Sequence, residues 1–414
     1  MCEITKENDS LQRQTENKDE DSQKIQCNKN IPELRFPEFE GEWENNKIDY
    51  FFKISVAGDL KKEELSKFKI NEFKYPVYGN ALEKKGLLGY YENYKYEENN
   101  ITVTARGNLG VALLRKKPFN AVGRLIILIP KTELNSYYVT QYINSKFKIY
   151  VESTGVPQLT APSFRLNKIK IPKLNEQNKI ANFLSAIDKK IELMEKKYAL
   201  YCSIRKYFIE NLFSNYAKSP NLRFNEFEDK WIKYPLKQLL KEIKIKSKFN
   251  NEYPLLSSTV NGIYLQKDYF NRNVGSKSNE GYKILSLNQI VLSPQNLWMG
   301  NINVNEKYDK GIVSPSYKIY DVTKLIRSDF IKYILKTPRL LYEYKISSEQ
   351  GASIVRRNLN QQLFKEIEIT IPSINEQEKI ANFMLRWDMK IIGIKNQIQN
   401  IRKFKKGLLQ KMFC

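Results

Sequence analysis

Two stretches of this chain place apolar residues at alternating steps of four and three. The first runs Ile180, Leu184, Ile187, Ile191, Met194, Tyr198, Tyr201, Phe208, Leu212; the second runs Ile380, Met384, Trp387, Ile391, Ile394, Ile398, Ile401, Leu408, Met412. That spacing is the heptad seam of a helix that buries one narrow stripe. Each seam is interrupted once, by a basic residue at the same repeat position, Arg205 or Lys405. Each helix is predicted to span about 38 residues, hence roughly 57 Å at 1.5 Å per residue. A lone helix with such a stripe must cover it, and the two are natural mates. Leu184, Ile187, Ile191, Met194 and Tyr198 are expected to meet Trp387, Ile391, Ile394 and Ile398 in an antiparallel coiled coil. Ahead of each helix lies an alternating strand that ends in proline, Ile169-x-Ile171-Pro172 and Ile367-x-Ile369-x-Ile371-Pro372. Proline cannot donate to a ladder and stops the strand. Asn175 and Asn375 then read as helix N-caps. Glu378 completes a capping box with Asn375, and Asn178 is the weaker counterpart in the first copy.

These resemblances are part of an internal repeat. Residues 32–43 read PELRFPEFEGEW and residues 220–231 read PNLRFNEFEDKW, an offset of 188 (220 against 32). Residues 171–183 read IPKLNEQNKIANF and residues 371–383 read IPSINEQEKIANF, an offset of 200 (375 against 175). Between them the two halves share a strand-rich plan and little identity. Both carry a Tyr-Pro step, Tyr75-Pro76 and Tyr253-Pro254. Ile101, Val103 and Ala105 alternate with Thr102 and Thr104 as a half-buried strand; Leu125–Ile129 and Ile290–Leu292 are further strands. The fold class is therefore α+β: two mixed α/β domains separated by two long antiparallel helices, with a pseudo-twofold internal repeat. The boundaries are a polar, disordered tail at 1–30, a first variable domain at 31–167, a central helix at 168–215, a second variable domain at 216–366 and a distal helix at 367–414.

Charge sharpens this picture. Lys and Arg total 69 against 46 Asp and Glu, a net charge of +23 in 414 residues. Such an excess points to a polyanion, most commonly nucleic acid, although an AT-rich genome also raises Lys, Asn and Ile. There is no histidine, which removes the commonest general base and zinc ligand. Cys2, Cys27, Cys202 and Cys414 lack metal-ligand spacing and fit a reducing cytoplasm. No metal site is expected. The longest aliphatic run, Leu125–Ile129, is far too short for a membrane span. No Walker A pattern occurs, and neither an F-x-G-x-G loop nor an Asn-Pro-Pro-aromatic methyltransferase motif is present. Triplets such as Glu242-Ile243-Lys244 are what a chain rich in Lys and Glu produces at random.

The loops that differ between the halves carry base-reading chemistry. Arginine pairs bidentately with guanine, and asparagine or glutamine with adenine. Arg106 and Asn108 in Arg106-Gly107-Asn108-Leu109-Gly110 suit one half; Gln295 and Asn296 in Ser293–Gly300 suit the other. The loop glycines would let backbone approach a phosphate. Tyr78, Asn80 and Gln158 are further candidates in the first half, and Arg356 and Arg357 in the second. Each of them taken singly also fits an ordinary turn residue on a basic surface.

With these motifs in view, the chain resembles the specificity subunit of a type I restriction-modification system. The resemblance lies in the paired LRF-x-x-FE-x-x-W and IP-x-x-NEQ-x-KIANF segments, in Tyr75–Ile129 with its Tyr-Pro-Val-Tyr-Gly-Asn and Ala-Arg-Gly-Asn-Leu-Gly runs, and in Gly155-Val156-Pro157-Gln158-Leu159. The second half departs by lacking the Arg-Gly-Asn-Leu-Gly loop. The resemblance implies two target recognition domains, each reading half of a bipartite, asymmetric site in double-stranded DNA, and helices that act as a ruler. It implies two modification subunits that use S-adenosylmethionine and two restriction subunits that use ATP and magnesium, with no cofactor and no catalytic residue in this chain. The alternatives are a stand-alone DNA-binding adaptor and the recognition module of a single-chain restriction-modification enzyme.

Overall fold

The computed structural model describes residues 30–59, 65–149, 157–213, 220–270, 278–350 and 357–414. Nearly all of the expected tail lies outside these. The chain divides into two units, one of Met1–Lys196 with Asn396–Cys414 and one of Lys197–Lys395.

The first unit is built on a four-stranded antiparallel sheet whose spatial order is Phe52–Val56, Ile126–Pro130, Ile101–Val103, Ala112–Leu114. The second has a sheet of the same connectivity, ordered Leu240–Ile243, Lys318–Val322, Ile290–Leu292, Ile302–Val304. Around this shared frame the units differ. The first adds a three-stranded sheet of Leu87–Tyr91, Tyr75–Tyr78 and Asn120–Ala121; the second adds the pairs Leu256–Thr259 with Gly262–Leu265 and Lys283–Ser286 with Lys310–Val313. Ile101–Val103 is buried on both faces, Thr102 and Thr104 included. The alternation predicted a strand with a wet face. Instead Thr102 Oγ1 accepts from Arg115 Nε at 2.8 Å and Thr104 Oγ1 accepts from Val111 N at 2.9 Å, so both hydroxyls are satisfied inside.

Each unit closes with a short antiparallel ladder between its repeat segments. Glu44–Lys47 pairs with Lys168–Ile171, and Ile232–Pro235 with Glu368–Ile371. Ile169, Ile171, Ile369 and Ile371 point inward at period two, and the prolines end both strands as expected. The long helices follow at once, Leu174–Leu212 and Ile374–Met412. They begin one residue ahead of Asn175 and Asn375, so those residues are not the N-caps, and no Asn375–Glu378 capping box forms. The amides of Gln177 and Gln377 bond to the carbonyls of Lys173 and Ser373. Glu378 instead pairs with Arg327, and Asn178 accepts from Asn135.

The early start turns Glu and Gln of each NEQ motif inward. Glu176, 2% exposed, accepts both arms of Arg35 at 2.8 Å and the Trp43 indole N–H at 3.3 Å. Glu376, fully buried, accepts Arg223 at 2.8 and 2.7 Å and Trp231 at 3.2 Å. These bonds raise both guanidinium pKa values above their ordinary range. Each carboxylate also sits in a helix's first turn, where the macrodipole favours negative charge. Gln177 and Gln377 donate to the carbonyls of Pro172 and Pro372 and accept from the amides of Asn135 and Arg327. The LRF-to-Trp and NEQ segments are therefore the two sides of one clasp, made twice.

Both helices contribute to both units. In the first, Ile180, Ala181 and Leu184 share a core with Met412 and Phe413; in the second, Ile380, Ala381 and Met384 share one with Leu212 and Phe213. In the first unit Asp188 meets Lys405 and Glu195 meets Arg402. In the second, Tyr201 packs on Trp387, Arg205 on Asp388 and Phe208 on Phe383. From Asp188–Lys405 to Glu195–Arg402, and from Arg205–Asp388 to Phe208–Phe383, the partner's number falls as the first rises, so within each unit the helix segments run antiparallel. Of the predicted seam, Leu184, Ile391, Ile394 and Ile398 are buried, and Ile187, Ile191, Met194, Tyr198 and Trp387 are half-buried. Replacing Glu376 by Ala strands the Arg223 charge and the Trp231 N–H. We expect a stability loss of about 3 kcal/mol, read as a lower urea midpoint for the second unit; a loss near zero would mean the clasp is incidental.

Candidate nucleic-acid interface

In the first unit the candidate loop joins Ile101–Val103 to Ala112–Leu114. Thr104 shapes it from within: its hydroxyl donates to the Asn108 carbonyl, and its carbonyl accepts from the Gly110 amide at 2.8 Å. The loop glycines have different tasks. Gly110 has φ +78° and a Cβ there would lie 2.1 Å from Ile149, so this glycine serves the fold and does not receive a phosphate. Gly107, at φ +68°, faces open space. Arg106 and Asn108 are exposed on either side of it.

Asn80 holds this loop in place. Its Oδ1 accepts the amides of Ala105 and Arg106 at 2.7 and 3.2 Å, and its Nδ2 donates to Gly123 O at 2.6 Å. Both ends of the amide are engaged by backbone, so Asn80 positions Arg106 and does not offer a base-reading edge. Tyr78 is likewise turned inward. Its ring lies against Phe119, and the Arg115 guanidinium sits 3.6 Å from its centroid. Arg115 is 3% exposed and has no carboxylate beside it among the described residues; it donates to Thr102 and to the Lys85 carbonyl. Burial pushes its pKa down to about 10, partly offset by Tyr78. Gln158, half-buried, comes from far along the chain to form a bridge with Arg106, and Leu159 N donates to Ala105 O at 3.0 Å. Arg124 was missed by sequence reasoning. It is exposed with φ 64°, next to the Gly123 carbonyl that Asn80 holds. No local pattern marks it.

The second unit repeats the geometry with other side chains. The loop after Ile290–Leu292 is anchored by Leu297, fully buried, in a short 3-10 turn closed by Gly300 at φ 91°. This leaves Gln295 exposed and Asn296 half-buried. The Arg357 amide donates to the Gln295 carbonyl at 3.1 Å, and the Arg357 guanidinium lies 5.0 Å from the Trp298 ring centroid while donating to Ser348 O. Arg356 lies outside the described residues. In each unit, then, the loop after the same frame strand is bonded by the segment entering a short helix, Ala161–Arg165 or Gln361–Glu366. The first unit pairs Arg106 on the loop with Gln158 on the bridging segment; the second pairs Gln295 on the loop with Arg357. Among the described residues no group of three or more acidic or cysteine side chains gathers as a metal ligand set, and no helix is long and apolar enough to cross a membrane.

Residues 40–200 match the model of the type I restriction modification DNA specificity domain. A type I specificity subunit of Mycoplasma pneumoniae is 31% identical over 170 residues, which is 38% of this chain and 46% of the relative, so the chain spans about half the length of that protein. The C-terminal piece of another from the same organism is 33% identical over 99 residues, 24% of this chain and 67% of the relative. The chain belongs to the type I specificity-subunit family. The crystal structure of a type I system S subunit from M. genitalium has the same fold, with TM-score 0.59 at 17% identity over 93% of this chain and 99% of that one. In this member of the family the loops with Arg106 and Gln295 differ between the units yet sit on the frame that the units share. Asn80→Ala frees two loop amides; it should cost the first unit about 1–3 kcal/mol and speed amide exchange at Ala105 and Arg106. Asn108→Ala, on the exposed side, should change stability by less than about 0.5 kcal/mol. Equal effects would contradict the division into a positioning and a presenting residue.

Proposed function

We propose that this chain is the DNA-reading, non-catalytic subunit of a type I restriction-modification complex, and that each unit reads one half of a bipartite, asymmetric site. The observation that carries this is the pair of loops on one frame used twice: backbone contacts bring Arg106 beside Gln158 in one unit and Gln295 beside Arg357 in the other, with Arg106 and Gln295 exposed. Arginine favours guanine and glutamine favours adenine in the major groove, so the two edges suit different half-sites. A net charge of +23 supplies the phosphate attraction that orients the duplex without selecting sequence. The two long helices, antiparallel within each unit, form a coiled coil in this reading and act as a ruler for half-site separation.

The chemistry lies with partners: two modification subunits that bind S-adenosylmethionine and methylate adenine, and two restriction subunits driven by ATP with magnesium. Large apolar side chains on the outer faces of the helices support docking of such partners. Leu200, Tyr207, Met389 and Ile392 in the second unit, and Leu193 and Phe404 in the first, are each more than half exposed. Large apolar side chains left in water on a helix pair are available to a protein partner.

Methylation mapping of DNA modified by the chain with its modification subunits tests the reading. Arg106→Ala with Asn108→Ala should cost about 1–3 kcal/mol of discrimination per lost base contact, relaxing one half-site and leaving the other unchanged. An unaltered motif would return this loop to a structural role. Seven residues inserted between Ile187 and Phe208 keep the heptad phase and lengthen the helix by roughly 10 Å. The half-site sequences should persist at a changed spacing, and unchanged spacing would rule out the ruler.

A further inference from the structure

We propose that Asp188 and Asp388 are positioning residues for DNA-site geometry: each carboxylate locks the helix register and seats its unit's globular part on the helices. The starting point is the basic interruption of each apolar seam. Lys405 Nζ lies 2.7 and 2.8 Å from the two carboxylate oxygens of Asp188, and 3.0 Å from Gln141 Oε1. Tyr137 donates its hydroxyl to the same carboxylate at 2.5 Å. The second unit repeats the arrangement: Arg205 donates to Asp388, and the Tyr333 hydroxyl donates to the other oxygen at 2.8 Å. Tyr137 and Gln141 belong to the helix Ser136–Lys146 and Tyr333 to the helix Ser328–Ile334, both outside the long pair. Burial, reinforced by the facing aspartate, raises both phenols well above their ordinary pKa, so they stay donors.

A charge on an apolar seam is no better for stability than a hydrophobic residue of like volume, and its attested use is to select register. Slipping by one heptad shows the selection. In one direction Lys405 would face Ala181 and Arg205 would face Ala381; in the other Lys405 would gain Glu195 while Arg205 met Lys395. Neither slip satisfies both bases. Because the carboxylate that answers the base also answers a tyrosine of the globular part, helix register and the seat of that part are set by one group in each unit.

The inference rests on the ruler reading for its DNA consequence. The variants are Tyr137→Phe, Tyr333→Phe and Asp188→Asn, each assembled with the modification subunits. Half-site sequences should remain, while sites one base pair longer or shorter in the spacer gain modification about tenfold over the wild-type level, as expected for losing a hydrogen bond to a charged group. A single retained spacing in all three, or a changed half-site, would overturn the proposal. A wild-type chain without a bipartite motif would sink the ruler instead. The seat itself is then judged by amide exchange on the chain alone. Tyr137→Phe should speed exchange about tenfold in Ser136–Lys146 and leave Phe52–Val56 and Ile126–Pro130 unchanged; equal exchange in variant and wild type refutes it.

Discussion

A buried carboxylate in the first turn of a long helix is the constraint on which each unit depends. Glu176 and Glu376 would be costly inside without partners. Arg35 with Trp43 and Arg223 with Trp231 supply those partners from segments more than a hundred residues earlier in the chain. The clasp therefore ties the entry of each globular part to the helix that leaves it. The ladders Glu44–Lys47 with Lys168–Ile171 and Ile232–Pro235 with Glu368–Ile371 lie beside it. Together they explain why these short motifs recur in the sequence almost unchanged while everything between them differs.

With its ends tied, the sheet between them tolerates different decoration. The frame strands keep one spatial order in both units, yet the additional strands and the loops do not. The edge loop is held by different means in the two cases. Asn80 staples it in the first unit, while the buried Leu297 anchors it in the second. What is common is the position of the loop and its bond to a segment arriving from elsewhere. The loop's position is thus preserved while its side chains change, which is the arrangement that the proposed reading of two unlike half-sites requires.

The seam between the long helices obeys a similar logic. Isoleucines and aromatics supply burial, and burial is indifferent to a slip of seven residues. Lys405 and Arg205 are not indifferent, because each has one carboxylate opposite and that carboxylate has a second obligation to a tyrosine. Polar groups on the seam contribute specificity where the apolar ones contribute stability.

Much of this architecture was legible in the amino-acid order. Heptads, the period-two strands Ile169–Ile171 and Ile369–Ile371, the strand-ending prolines and the duplication are all local patterns, and backbone geometry translates local pattern directly into helix and strand. The helix starts were misread because Asn175 and Asn375 satisfy a cap pattern, while the inward pull on Glu176 and Glu376 comes from distant arginines. Thr102 and Thr104 look like a wet face until Arg115 is brought over one of them. Asn80 and Tyr78 read as candidates for base contact by residue type, and only the fold turns them toward Ala105, Gly123 and Arg115. The meetings of Arg106 with Gln158, of Gln295 with Arg357, and of Asp188 with Tyr137 join positions that no periodicity relates. Sequence alone determined which segments become helices and strands and that the plan occurs twice. Tertiary structure decided which polar side chains face inward to hold a loop and which remain outside in water, because that choice depends on partners brought near only when the chain closes on itself.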